Sequence, residues 1–256
     1  MQVVRRSLAV LRAVAEHSNG TTLQELSRGL DLPAATTHRL LAALTDERFL
    51  VRNPLNKRYS LGPDALALFP RVRHVADAVR DDLHELAAST GETAYVSELV
   101  GDRAICTSLV ESARPLRLFV RVGQELPLHA AASARAILAF CGETRIQQIV
   151  DSLDFQAFTP ETPTSPAELL SHLAEVRRRG YDVCDQELDP GVWAAGAPIR
   201  EISGDVVASV TIAGPIDRLD RVRQRRITDE VVASAERVSA RFGYTTNPYA
   251  NGDVGL

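Results

Sequence analysis

The sequence predicts an α+β protein in two parts: a winged helix-turn-helix, then a mixed α/β body with helices packed on a sheet. Three observations predict it. Residues 22–61 read as helix, tight turn, helix and short basic hairpin. Runs of β character occur at 94–122 and again at 181–213, bounded by turn residues. Helical segments lie between and around those runs without a strict strand–helix alternation.

The first helix is expected over 4–17, with Leu8, Leu11 and Val14 at helical spacing and Asn19-Gly20 ending it. Thr22 to Glu25 forms a capping-box opening, a hydroxyl with a carboxylate three residues on. Leu23, Leu26 and Leu30 follow, and Gly29, Asp31, Leu32 and Pro33 break this helix and start another. Thr37, Leu40, Leu41 and Leu44 make one buried stripe on that second helix. Ala34, Ala35, Thr36, His38 and Arg39 lie on its opposite face. The hairpin has strands 49–52 and 58–61 around a cationic tip at 53–57. Gly62-Pro63 marks a boundary, and 64–89 is helical with a break at Pro70.

In the body, strands 94–100 and 104–110 join through Gly101-Asp102, and Leu116 to Val122 is expected as a third strand. Helices are expected over 131–141 and 143–150. Ser165 to Glu168 is a second capping box, opening a helix that ends in Arg177, Arg178, Arg179 and Gly180. That arginine run suits helix-end charge compensation better than DNA contact. Strands at 181–186, 192–199 and 206–213 and a long helix over 216–242 complete the body. The expected organisation is a DNA module at 1–62, a helical linker at 63–89, the body at 90–246 and a flexible tail at 247–256.

Charge divides unevenly. Residues 1–62 hold 9 Lys/Arg against 5 Asp/Glu, whereas residues 63–256 hold 20 against 28. A basic module on an acidic body suggests a nucleic-acid partner for the front part. No apolar run reaches membrane-spanning length and no convincing signal peptide opens the chain, so a cytoplasmic protein without a membrane partner is expected. Three isolated cysteines argue against a disulfide framework, and the scattered histidines against structural zinc. No cofactor is expected, as no glycine-rich phosphate loop is present.

Several blocks occur in one order along the chain: Arg6 to Leu11, Leu32-Pro33, His38 to Leu41, Arg58 to Gly62, Pro127 to Ala139, Gly180-Tyr181, Glu187, Gly191-Val192, Ala197 to Ile199 and Gly214-Pro215. Together they resemble the IclR family of bacterial transcription regulators over nearly the whole chain. The resemblance implies an N-terminal winged helix-turn-helix, a helical linker and a GAF-like effector-binding domain. It also implies homodimers, or dimers of dimers, on pseudo-palindromic double-stranded operators.

The candidate DNA-contacting residues are Arg5, Arg6, Thr22, Ala34, Ala35, Thr36, His38, Arg39, Arg52, Lys57 and Arg58. Ala35 and Thr36 suit a thymine methyl, and Arg39 a guanine or phosphate. His38 suits a phosphate contact or a local cap equally. Positions 34 and 35, often lysine and serine in the family, are alanines here, which shifts backbone attraction onto the wing and Arg5-Arg6. In the body, the small residues of Pro127 to Ser133 precede a helix and leave its first N–H groups open to a small organic acid, or simply permit close packing. By family correspondence the effector pocket involves Ala132, Ser133, Cys184, Ala194, Thr211 and Ala213. Cys184, Ala194 and Ala213 replace commoner polar groups, so the ligand is expected to carry an apolar or aromatic portion beside its anionic group. Trp193 suits either stacking on that ligand or packing.

Two rival functions follow from the same residues. Cys184, His129, Ser133 and Asp185 are nucleophile and base types, yet no nucleophile elbow, metal pair or dinucleotide fingerprint surrounds them, so no enzyme activity is expected. A purely architectural DNA-binder leaves the large acidic body without a task.

Overall fold

The computed structural model describes residues 2–15, 17, 20–67, 70–114 and 120–244. The chain divides into two compact units, residues 1–74 and 75–256. In the front unit, α1 (Gln2–Ala15), α2 (Leu23–Gly29) and α3 (Ala34–Asp46) precede a hairpin of β1 (Leu50–Arg52) and β2 (Tyr59–Leu61). The capping box closes as its sequence requires. The Thr22 hydroxyl accepts from the Glu25 N–H at 3.3 Å, and the Glu25 carboxylate accepts from the Thr22 N–H at 2.7 Å. Pro33 sits at the N-cap of α3, where its carbonyl accepts from the N–H groups of Thr36 and Thr37.

Val10, Val14, Leu26, Leu40, Leu41, Leu50 and Tyr59 form the core of this unit. The inward face of α1 is Val10 and Val14 with Leu11 packed beside them, so of the expected Leu8, Leu11 and Val14 only Leu8 is corrected, being exposed. Two overlapping apolar stripes run along this helix, and contact with α3 and β2 selects one of them. Asn19, the expected helix end, lies outside the described residues.

Next come α4 (Pro63–Ala67) and α5 (Pro70–Thr90), with residues 68–69 between them outside the described set. Pro70 opens α5, a position where its missing N–H costs nothing. The body is built on one antiparallel sheet of β3 (Thr93–Val100), β4 (Arg103–Val110), β5 (Glu125–Leu126), β6 (Asp182–Asp185), β7 (Val192–Arg200) and β8 (Val206–Pro215), in the order β5-β4-β3-β8-β7-β6. The expected strand at 116–122 is corrected in part: residues 115–119 lie outside the described set, and 120–122 form no strand. The place beside β4 is taken by β5, with Ala104 opposite Leu126. The expected tail, 247–256, also lies outside the described residues.

Both faces of the sheet are covered. On one, Val75, Val79, Leu83 and Leu86 of α5 and Ile227, Val231, Ala235 and Val238 of α9 (Arg221–Arg241) pack on Ala94, Val96, Ala195, Ala197, Val210 and Ile212. On the other, α6 (Ala132–Leu138), α7 (Glu143–Ser152) and α8 (Pro166–Arg179) pack against Tyr95, Cys106, Cys184, Ala194 and Ala213. The period-two alternation of each strand thus sends adjacent residues into different apolar layers. A single helix over 216–242 does not form. A 3₁₀ turn occupies Ile216–Arg218, and α9 begins after Asp220, whose carboxylate accepts from the Arg223 N–H at 2.8 Å. The α5–α9 layer is stapled by Asp82, which pairs with Arg237 and Arg241. Among the described residues no helix is long and apolar enough to cross a membrane.

The arginines closing α8 are each occupied within the body. Arg177 donates to the Ala139 carbonyl at 2.7 Å, Arg178 pairs with Glu175, and Arg179 pairs with Asp182. Gly180 ends the helix at φ 81°, the left-handed conformation that favours glycine.

Candidate functional site

Two surfaces have the geometry of binding sites, one in each unit. On α3, Thr37, Leu40 and Leu41 turn inward, which leaves Ala34, Ala35, His38 and Arg39 exposed and Thr36 half-buried. Neither His38 nor Arg39 has a hydrogen-bond or ion-pair partner among the described residues. On α1, Arg5 is exposed and Arg6 half-buried. Arg52 and Lys57 are exposed on the hairpin, with the Arg52 guanidinium 5.8 Å from the Tyr59 ring centroid.

Two candidates are instead employed inside the module. Thr22 caps α2. Arg58 donates to the Gly20 carbonyl at 3.0 Å and pairs with Glu25 at 3.2 Å, pinning the hairpin to the entrance of α2. The Thr22 N–H, the Thr21 hydroxyl and Arg58 hold the Glu25 carboxyl below the usual carboxylate range. Backbone bonds of 2.9 and 2.7 Å between Thr21 and Tyr59 complete this attachment. Arg58 thus holds the wing in place and has fewer donors left for phosphate than Arg52 or Lys57.

In the body, a cavity of about 460 Å³ opens on the α6 face of the sheet. Ala132, Cys184, Ala194 and Ala213 line it, together with Tyr95, Val120, Gln124, Leu126, Leu188 and others. Four of the six expected pocket residues therefore meet in one place. Ser133 and Thr211 are not among its lining residues. The Ser133 carbonyl accepts from Ser209 Oγ at 2.8 Å, so this turn of α6 is pressed onto β8. Thr211 Oγ1 faces Gly196, where an added Cβ would lie 2.8 Å from the hydroxyl and 3.2 Å from the Ala132 backbone. Glycine at 196 is what lets α6 approach the sheet so closely.

The lining is mostly apolar with a few neutral donors. Burial pushes the Tyr95 phenol well above its ordinary value and the Cys184 thiol up to about 11, so both stay protonated near neutrality. Gln124 adds an amide, and Asp189 an exposed carboxylate at the mouth. The backbone N–H groups of Ala132 and Ser133 donate to no acceptor among the described residues. Trp193 belongs to the opposite face of the sheet, buried against the α9 layer, so its role is packing.

The cavity wall after β6 is anchored by Arg135 on α6. This side chain is fully buried and donates to Asp182 at 2.6 Å, to the carbonyls of His129 at 2.9 Å and Val183 at 3.2 Å, and to Glu187. Glu187 immediately precedes Leu188 and Asp189 in that wall, and its carbonyl accepts from the Thr162 hydroxyl at 2.6 Å. Asp182 also accepts from His172 and Arg179, both at 2.7 Å. Burial alone would raise the Asp182 carboxyl, but Arg135 and His172 hold it below its ordinary value. For Glu187 the balance is reversed, and burial pushes it up against the pull of Arg135.

The residues of the rival enzyme reading stay apart. His129 Nε2 meets the Gln156 carbonyl at 2.9 Å, and its ring lies against Phe155 and Phe158. No hydrogen bond joins any two of His129, Ser133, Cys184 and Asp185 among the described residues. The cysteines are free thiols, and no group of three His, Cys, Asp or Glu side chains among the described residues could hold a metal ion.

Two family models match this architecture unit by unit. The IclR helix-turn-helix domain matches residues 3–54, and the bacterial transcriptional regulator IclR C-terminal domain matches residues 71–240. The chain belongs to the IclR family. Its relatives include the HTH-type transcriptional regulator BhcR of Paracoccus denitrificans, 29% identical over 93% of this chain and 86% of that protein. They also include the transcriptional repressor IclR of Escherichia coli, 28% identical over 95% and 90%. The crystal structure of an IclR transcriptional regulator from Alicyclobacillus acidocaldarius aligns with TM-score 0.70 at 29% identity, covering 95% of this chain and 99% of that one. An IclR homologue from Microbacterium hydrocarbonoxydans, solved with 4-hydroxybenzoate, shares the fold at TM-score 0.73 and 18% identity, over 95% and 100% of the chains. As an IclR-family member this protein is a transcriptional regulator, with a DNA-binding helix-turn-helix and an effector-binding C-terminal domain.

Tyr95, Val120, Gln124, Leu126, Leu188 and Asp189 are cavity residues that the sequence did not single out. Strand alternation carried a signal for Tyr95, which sits opposite Thr211 in the β3–β8 register. That signal becomes legible only once the pairing is known.

Proposed function

We propose that this IclR-family protein binds a pseudo-palindromic operator as a homodimer, and that a small organic acid in the body cavity alters its operator affinity. The observation that carries the effector half is the convergence of Ala132, Cys184, Ala194 and Ala213 on one cavity with Tyr95 and Gln124. A volume of about 460 Å³ lies in the range of small-molecule sites. Its alanine, valine and leucine walls suit an apolar or aromatic ligand body. Support for an acidic end comes from neutral donors, namely the Tyr95 hydroxyl and the Gln124 amide, together with the unpaired N–H of Ala132. Exposed Asp189 at the mouth disfavours a second anionic group on that side.

The proposed DNA contacts are Ala35, Thr36, His38 and Arg39 to base edges and nearby phosphates, with Arg5, Arg6, Arg52 and Lys57 attracting the backbone. Coupling requires only that the ligand prefer one of two dimer arrangements. The α5 helix, packed on the sheet through Val79, Leu83 and Leu86 and stapled to α9 by Asp82, is the route proposed for that preference.

A thermal-shift screen of aliphatic, aromatic and very polar small acids tests the effector reading. Apolar or aromatic monocarboxylates should raise the melting temperature, and should change operator affinity by the same factor by which operator DNA changes theirs. Shifts confined to very polar acids such as glyoxylate would contradict the pocket reading, and ligand-insensitive operator affinity would remove the coupling. Footprinting should give symmetric half-sites roughly 34 Å apart, or a multiple of that spacing. A single asymmetric footprint counts against the dimer.

A further inference from the structure

We propose that Leu55, at the tip of the β1–β2 hairpin, acts as an apolar wedge that enters the minor groove and opens a base step there. The inference rests on the DNA-binding reading and assigns the wing a second task beyond phosphate attraction. Leu55 is 92% exposed, more than any other large apolar side chain described. It contributes nothing to the core of its unit, which ends at Leu50 and Tyr59 on either side of the tip.

Single exposed leucines are ordinary on protein surfaces. What distinguishes this one is how firmly the tip is built. The Asn53 side-chain oxygen accepts from the N–H groups of Leu55 at 2.9 Å and Asn56 at 3.4 Å. The Asn56 side-chain oxygen accepts from the Arg58 N–H at 3.0 Å. Asn53 and Arg58 close the base of the loop at 2.9 Å, and the Lys57 N–H donates to the Asn53 carbonyl at 2.9 Å. Lys57 is held at φ 58°, a left-handed conformation that is costly for a non-glycine residue. Below the tip, Arg58 and Tyr59 fasten the hairpin to Gly20, Thr21 and Glu25. A loop ordered at this cost, presenting Pro54 and Leu55 outermost, is preorganised to deliver an apolar side chain to a fixed place.

The chemistry of the neighbours selects the partner. Exposed Arg52 and Lys57 flank the tip, so whatever receives Leu55 carries negative charge on either side of an apolar slot. A minor groove has this form, with two phosphate rows bordering stacked bases between which leucine and proline wedges can insert. A protein partner fits poorly, because one leucine and one proline fall far short of the roughly 800 Å² per side that a stable interface buries. With α3 in the major groove, the hairpin next in the chain is free for the neighbouring minor groove. The step that opens should be pyrimidine–purine, since such steps unstack most readily. Base preference would then extend to a position that no side chain hydrogen-bonds.

The test uses the full chain and a duplex it selects from a random library. Adenines of that duplex are replaced one at a time by 2-aminopurine, whose fluorescence rises on unstacking. Wild-type protein should raise the signal at one pyrimidine–purine step in each half-site. Leu55→Ser should bind about tenfold more weakly, the effect of withdrawing one leucine from a buried contact, and should lose the signal even at saturation. Leu55→Phe should restore it, and Lys57→Ala should weaken binding while keeping it. Thermal unfolding should be alike for all four proteins. Bound wild type without a fluorescence rise, or Leu55→Ser retaining one, overturns the wedge while leaving operator binding intact. Failure to select any duplex removes the DNA reading itself, and the wedge with it.

Discussion

Arg39 in the front unit and Arg135 in the body carry the same guanidinium into opposite surroundings. Arg39 is exposed on α3 and spends none of its donors on a described residue. Arg135 is fully buried and spends its donors on two carboxylates and two carbonyls. A buried guanidinium must be satisfied internally, because an unpaired charge there costs several kcal/mol, of order 3–5 when one partner is removed. An exposed one is solvated at almost no cost and keeps its fork for a phosphate or a guanine. The difference teaches that charge count says little about function in this chain. Arg58 makes the same point within the basic wing, where it is half-buried and holds the hairpin to Glu25.

The largest effect should come from Arg135→Ala. With Glu187 stripped of its guanidinium and Asp182 left with only His172 and Arg179, we expect a loss of about 3–5 kcal/mol in urea unfolding of the body. Near-wild-type stability would show that water, not the guanidinium, satisfies this cluster. The pH dependence sharpens the point. Asp182 is depressed in the fold, so its contribution is fully present above its unfolded value of about 3.9 and is lost as pH falls through the lower folded value. Glu187 is raised, so protonation favours the fold and its burdening of stability eases as pH falls through its folded value. Comparing melting temperatures of wild type and Asp182→Asn across pH should therefore give a gap that is widest near neutrality and closes only below about pH 4. A gap that closes already at pH 6 would break this assignment.

Gly196→Ala comes next. Its new Cβ would meet Thr211 Oγ1 and the Ala132 backbone, lifting α6 from the sheet at a cost of about 1–3 kcal/mol and distorting the cavity. Adding Thr211→Ala should recover part of that loss in the same unfolding measurement. The front unit should respond in another currency. Arg39→Ala should leave stability within about 0.5 kcal/mol of wild type. It should relax discrimination at one base by about 1–3 kcal/mol in competition binding. Lys57→Ala should be smallest, weakening all sequences alike and lowering the salt slope by about one. If Arg39→Ala instead unfolded the module, the contrast with Arg135 would collapse.

The chain's local chemistry determined much of this protein. The capping box of Thr22 and Glu25, the stripe of Thr37, Leu40 and Leu41, and the turn at Gly101-Asp102 each depend on residues a few positions apart, so they are legible in order along the sequence. The ordered family blocks added the domain plan, and correspondence with the family pointed to four residues that line the cavity, Ala132, Cys184, Ala194 and Ala213. Tertiary structure decided what depends on partners distant in the chain. It chose Val10 and Val14 over Leu8 on α1, turned Trp193 away from the cavity, and put β5 beside β4. It also joined Arg135 to Asp182 and Glu187 across about fifty residues of sequence. Periodicity tells which residues share a face, but only packing and strand register settle which layer that face meets.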